Sequence, residues 1–110
     1  MTTPIPRWLL PHTATLYKAV STDAWGKEIH DVYTLRYVRI EPVQAMTYSL
    51  SGDMPQVRAR LYIDCVNSDT EGAEVEAGDR IVWQGKEYRV VQVADYYEKQ
   101  TLHHKEVTLA

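Results

Sequence analysis

A single cysteine, Cys65, leaves this 110-residue chain without any intrachain disulfide, and no phenylalanine is available to fill its core. The fold must therefore be held by burial and hydrogen bonding, which fits a reducing compartment. Zinc chemistry is starved of ligands as well: four histidines and one thiol occur without the paired spacing of a structural site. Positive charge is not in excess. The formal net charge of -3 argues against a broad nucleic-acid footprint. Long apolar runs are also missing, and Trp8-Leu9-Leu10 falls far short of a membrane span or a signal segment. No G-x-S-x-G, Walker A or G-x-G-x-x-G sequence occurs, and Ser51-Gly52-Asp53 reads as a turn rather than a nucleophile elbow. No base, nucleophile and orienting residue come together. The chain reads as a non-enzyme with no cofactor and no metal.

What is present is β-forming. Hydrophobic residues make up 45% of the chain, enough for a core in one domain spanning residues 1–110. Eight tyrosines and three tryptophans supply aromatics that suit strand surfaces and interfaces. The most legible stretch is Gly78–Val93, GDRIVWQGKEYRVVQV. It predicts a hairpin, with Arg80–Trp83 as one arm, a turn at Gln84-Gly85-Lys86 and a second arm from Tyr88. Gly85 supplies the positive φ that such a turn needs. Val90 and Val91 break the alternation, so both faces of the second arm are expected to meet apolar groups. Further strands are expected at His12–Val20, Val32–Ile40, Val57–Cys65 and Thr101–Ala110. Turns are expected at Asp23–Gly26 and Ala94–Gln100, and Pro42 marks a bend or a sheet edge. Asn67–Asp79 is an acidic, solvated connection. The succession predicts an all-β fold, a small β-barrel or sandwich of six to seven mostly antiparallel strands with one long loop.

Three segments stand out from that frame. Pro4, Pro6 and Pro11 make residues 1–11 an extended N-terminal arm, whose Trp8, Leu9 and Leu10 are expected to cover one end of the barrel. Residues 46–56 form the long loop, mixing turn formers (Ser49, Ser51, Gly52, Asp53) with apolar Met46, Tyr48, Leu50 and Met54. In Val57–Cys65, Val57, Ala59, Leu61, Ile63 and Cys65 alternate with Arg58, Arg60, Tyr62 and Asp64. That puts Cys65 inward and presents Arg58, Arg60 and Tyr62 outward. These three, with Trp8, are the candidate protein interface. Arginine and tyrosine also serve single-stranded nucleic acid, but the acidic balance favours a protein partner. His103 and His104, adjacent on a strand, are expected to point to opposite faces and not to share an ion.

Taken in order, DAWGKE (Asp23–Glu28), YVRIEP (Tyr37–Pro42), LYIDCVNS (Leu61–Ser68), GDRIVWQGKEYRVVQV (Gly78–Val93) and LHHKEVTL (Leu102–Leu109) give the chain a specific pattern. It resembles the phage minor capsid proteins, which belong with the head–tail connector (head-closure or stopper) proteins. The resemblance implies a small barrel that assembles with copies of itself into a ring in the neck of the virion, whatever its state alone. Its implied partners are the portal and adaptor on one side and tail-completion or tail proteins on the other. The implied role is to close the DNA-filled head, with packaged DNA met only as channel content and no membrane involved. Before assembly the protein would stand in the host cytoplasm. In stopper members a long loop obstructs the channel, and by position Met46, Tyr48, Ser49, Leu50, Ser51, Gly52, Asp53 and Met54 are the candidates here. An acidic lining would keep DNA from adhering to such a conduit. The rival readings are a small-barrel module for single-stranded nucleic acid and another virion component, such as a decoration or tail-terminator protein.

Overall fold

The computed structural model describes residues 3–18, 21–22, 24–26, 28–29, 31–46 and 57–110. The strands are β1 (His12–Tyr17), β2 (Ser21–Thr22), β3 (Glu28–Ile29), β4 (Val32–Met46), β5 (Val57–Asp64), β6 (Arg80–Trp83), β7 (Lys86–Glu98) and β8 (Thr101–Leu109). Six of them close an antiparallel barrel in the order β1-β4-β5-β8-β7-β6, β6 pairing back onto β1. Strands β2 and β3 form a separate two-stranded ribbon. Closure decides for the barrel over the sandwich, and it removes free edges from the barrel body.

The β6–β7 hairpin turns on two residues, Gln84 and Gly85, at φ 51 and 75. Both central residues are left-handed, as in a type I′ turn, whose twist matches that of the flanking strands. The broken alternation at Val90-Val91 has a local cause. Val90 pairs with Leu109 and Gln92 with Thr108, so Val91 is the additional residue of a β-bulge. The bend expected at Ala94–Gln100 is shorter than that. Strand β7 continues to Glu98, and only Lys99 and Gln100 turn the chain, with Lys99 at φ 58.

Strand β4 is longer than its sequence pattern suggests because its two halves serve different neighbours. Its first half pairs with β1 and its second half with β5. The switch is a bulge: His12 opposes Val38 and Ala14 opposes Leu35, so β4 carries one residue more than β1. Tyr37 takes φ 55 there, and the Arg36 backbone exchanges hydrogen bonds of 2.8 and 2.9 Å with Asp69. The His12 ring caps the site, its Nδ1 accepting from the Ile40 N–H at 2.9 Å, with Trp83 edge-on at 4.7 Å. Burial and then the Arg39 charge hold the His12 pKa below its ordinary value, which suits a neutral acceptor. The strand runs on through Pro42, and its register against β5 shifts between Pro42 and Met46.

The barrel interior is filled by Leu16, Leu35, Val38, Ile40, Leu61, Ile81, Val90, Val107 and Leu109, none with more than 1% of its surface exposed. Each such aliphatic side chain is worth about 1.5–3 kcal/mol of burial. At the foot of β6, Asp79 is fully buried, and its Oδ2 accepts from Lys18 Nζ at 2.7 Å and from the Glu76 N–H at 2.8 Å. Lys18 also donates to the Glu74 carbonyl at 2.6 Å and meets Glu76 Oε1 at 3.2 Å. This one ammonium staples the acidic connection to the end of β1.

Candidate functional site

On the outer face of the barrel, Tyr62 of β5 lies between Arg39 of β4 and Glu106 of β8, and Arg60 lies between Glu41 and Thr108. Arg39 Nε donates to Glu41 Oε1 at 2.7 Å. Burial first, then the charges of Glu41 and Glu106, raise the Tyr62 pKa against the hydrogen bond and charge of Arg60. Tyr62 therefore stays a neutral phenol. Arg39 is answered by Glu41, and Arg60 stands opposite the same residue, so this face mixes the two signs of charge and is not a phosphate-binding stripe.

Beside Tyr62 runs a groove of about 320 Å³ lined by Ile5, Leu9, Leu10, Arg39, Glu41 and Tyr62. The N-terminal segment makes one wall. It carries a single 3₁₀ turn, Arg7–Leu9, that follows Pro6. The turn sorts the apolar cluster expected to be buried: Leu10 is buried and Leu9 half-buried, while Trp8 remains 77% exposed. Arg7 stacks over the Tyr37 ring at 4.6 Å. Of the four candidate interface residues, Tyr62 lines the groove, and Trp8 belongs to the turn that brings Leu9 to it; Arg60, on the same strand as Tyr62, is not part of the lining. Arg58 stands apart, stacked over Tyr88 at 4.7 Å and donating to the Glu87 carbonyl at 3.3 Å. Of the candidate channel-loop residues, Tyr48, Ser49, Leu50, Ser51, Gly52, Asp53 and Met54 lie outside the described residues; Met46 ends β4.

The end of β5 overturns the expected alternation. Asp64, expected outward, is buried at 1% exposure, and Cys65, expected inward, is exposed. The strand stops at Asp64 because its side chain builds the next turn: Oδ2 accepts the N–H groups of Val66 at 2.9 Å and Asn67 at 2.7 Å. Ser68 Oγ accepts the Asp64 N–H at 2.8 Å. Asp64 Oδ1 accepts the Ile5 N–H at 2.9 Å, and Asn67 Nδ2 donates to the Ile5 carbonyl at 2.7 Å. Asp64, Asn67 and Ser68 therefore make the turn, and Asp64 and Asn67 also fasten the N-terminal segment. Asp-x-x-Asn-Ser after a strand is a turn signal that period-two counting overlooks.

His103 and His104 depart from expectation too. Their Nδ1 atoms lie 2.7 Å apart. Tyr96 pairs with His104 and Tyr97 with Leu102, which makes His103 the additional residue of a bulge and turns both rings to one side. His104 also stacks on Tyr96 at 5.0 Å. Among the described residues, no group of three or more His, Cys, Asp or Glu is arranged to hold a metal ion.

Other exposed aromatics escaped the sequence reading. Trp25, in the turn between β2 and β3, is 93% exposed, and Tyr97 near the β7–β8 tip is 61% exposed. For Trp25 the signal was an aromatic inside a turn, where the side chain has no core of its own to enter, whereas Tyr97 lies on β7. The surface thus offers protein-type contacts at separated points: the Trp8 groove at the start of β1, the Trp25 ribbon beyond its other end, and the β7–β8 tip.

Neither the curated proteins nor the solved structures searched gave a match to this chain. A family model described as "Minor capsid protein" matches residues 6–109. With every strand of the barrel inside that match, the chain belongs to the minor capsid protein family, the structural virion proteins that the order of its motifs resembles.

Proposed function

We propose that this protein works in the neck of a tailed-phage or prophage particle, where copies of it form a ring that closes the DNA-filled head and docks the tail. The role is structural and without catalysis. The observation that carries the reading is the pairing of a closed barrel with large exposed aromatics at separated points, Trp8 and Trp25 above all. A closed barrel cannot join its neighbours by adding strands to the barrel body, so assembly must use surface side chains. Tryptophans are among the usual anchors of such contacts. The portal or adaptor and the tail-completion proteins are the partners this reading requires. Residues 47–56, which follow β4 and precede β5 in the chain, are the segment it assigns to the channel.

The test is complementation of a particle lacking this protein with Trp8→Ala and Trp25→Ala variants. Because both side chains are exposed, each variant should melt within about 0.5 kcal/mol of the parent. The expected particles are DNA-filled heads that lack tails or lose their DNA. Full infectivity with both variants would overturn the docking role of these aromatics.

A further inference from the structure

His103, His104 and Glu106 form a chain of hydrogen bonds that ends on the N-terminal segment. His103 Nε2 lies 2.7 Å from the Thr3 carbonyl, the two Nδ1 atoms are 2.7 Å apart, and His104 Nε2 lies 2.9 Å from Glu106 Oε2. These three links need three protons. The Thr3 carbonyl can only accept, so His103 Nε2 must carry hydrogen. Its Nδ1 is then a lone pair unless the ring is an imidazolium. Two neutral imidazoles carry two protons, and an ionised Glu106 carries none. The third proton has to come from solution, to sit between the Nδ1 atoms or to arrive through a protonated Glu106.

We propose that these three residues are a proton-operated latch on the N-terminal segment. With the third proton bound, the chain is continuous from Glu106 to Thr3 and the segment is held. Without it, the ionised Glu106 carboxylate keeps the His104 hydrogen on Nε2, because that bond is charge-assisted and the other tautomer would set a lone pair against the carboxylate. Two Nδ1 lone pairs then face each other at hydrogen-bond distance, and one ring must move. His104 is fixed twice, by Glu106 and by its stack on Tyr96 with the planes 4° apart. His103 is the ring that yields, and its bond to Thr3 goes with it. The segment is then left to its anchor at Ile5, Asp64 and Asn67.

Other ionisable groups surround the latch. Asp64 and Tyr62 lie opposite His104 and Glu106 on β5, and Cys65 donates its N–H to the His103 carbonyl at 3.1 Å. Asp95 and Tyr96 lie on β7, with Asp95 paired to Lys105 of β8 at 4.0 Å. The Arg60 charge acts on Tyr62. The test must separate the latch from all of these.

The measurement is the hydrogen-exchange protection factor of the Ile5 amide in the full chain, normalised to the intrinsic rate at each pH between 5.5 and 8. Protection should be about tenfold greater at pH 5.5 than at pH 8, the worth of one charge-assisted hydrogen bond. In His104→Asn the side-chain amide donates to His103 Nδ1 without an added proton, so protection should be high and flat across the range. In His103→Ala, where the Thr3 link is gone, it should be low and flat. Equal protection of the parent at pH 5.5 and pH 8 would overturn the proposal. So would an undiminished pH dependence in His104→Asn, which would assign it to a neighbouring group.

Discussion

Two buried aspartates fasten two connections of the barrel, and they are satisfied by different chemistry. Asp64 holds backbone: the N–H groups of Ile5, Val66 and Asn67. Asp79 holds an ammonium, that of Lys18, together with the Glu76 N–H. The difference matters because amide donors cannot leave without unmaking a turn, whereas Lys18 is one-fifth exposed and has Glu76 as a second partner. A buried carboxylate that defines the path of the chain should be harder to replace than one that binds a movable side chain.

Substitution of the acids gives the largest expected effects. Asp64→Ala orphans three N–H donors at once and should cost about 3 kcal/mol, after water and relaxation recover part of the loss. It should also release the N-terminal segment, since Ile5 loses its acceptor. Asp79→Ala should cost about 2 kcal/mol, because Lys18 can turn to Glu76 and solvent. Urea-unfolding midpoints of the two variants measure both. An equal loss would remove the distinction between a carboxylate that shapes backbone and one that pairs with a cation.

Alkaline pH sharpens the contrast from the other side. Burial pulls the Lys18 pKa down, but hydrogen bonds and charge from Asp79 and Glu76 outweigh it, and the folded value lies above 10.5. Lys18 therefore adds stability that is fully present below pH 10.5 and is lost as pH rises through the folded value. Lys18→Met should cost about 1–2 kcal/mol at pH 7 and should flatten the alkaline fall of stability. Unfolding curves between pH 9 and 11.5 read both. An alkaline limb unchanged in the variant would show that another group sets it.

The barrel was legible in the sequence where a strand obeys one period and ends at a turn with its own residue signature. Arg80–Trp83, the turn at Gly85 and the run from Thr101 follow that rule, although the turn is one residue shorter than expected because Lys86 already pairs with Trp83. The misreadings share one physical cause, a bulge or a turn that resets the period. Cys65 was placed inward by carrying the alternation one residue past Asp64, whose carboxylate had already turned the chain. His103 and His104 were sent to opposite faces because nothing in the residues themselves announces the bulge between Tyr96 and Tyr97. For the candidate site, the exposure of Arg58 and Arg60 was legible from the same alternation. The groove was not, because it is made by a segment that returns from the other end of the chain to meet β4 and β5.

The smallest expected effect falls on Cys65, which sits one residue beyond the most demanding position in the chain. Asp64→Ala and Cys65→Ala should differ sharply although the residues are neighbours. The thiol lies on the exposed side of the turn and fills no space in the main core. Cys65→Ala should therefore change stability by less than about 0.5 kcal/mol, the scale of an ordinary surface substitution. Exposure also makes the sulfur reachable by a thiol reagent in the folded protein. Partial shielding of the sulfur, followed by the Asp64 carboxylate, pushes the thiol pKa up, so little thiolate is present near neutrality. Labelling of the native chain should go to completion, yet more slowly than labelling of the unfolded chain at the same pH. In Asp64→Ala at a denaturant concentration that keeps it folded, the nearby negative charge is gone and the rate should rise. A folded protein that resists labelling altogether would return Cys65 to the interior and undo the account of how β5 ends.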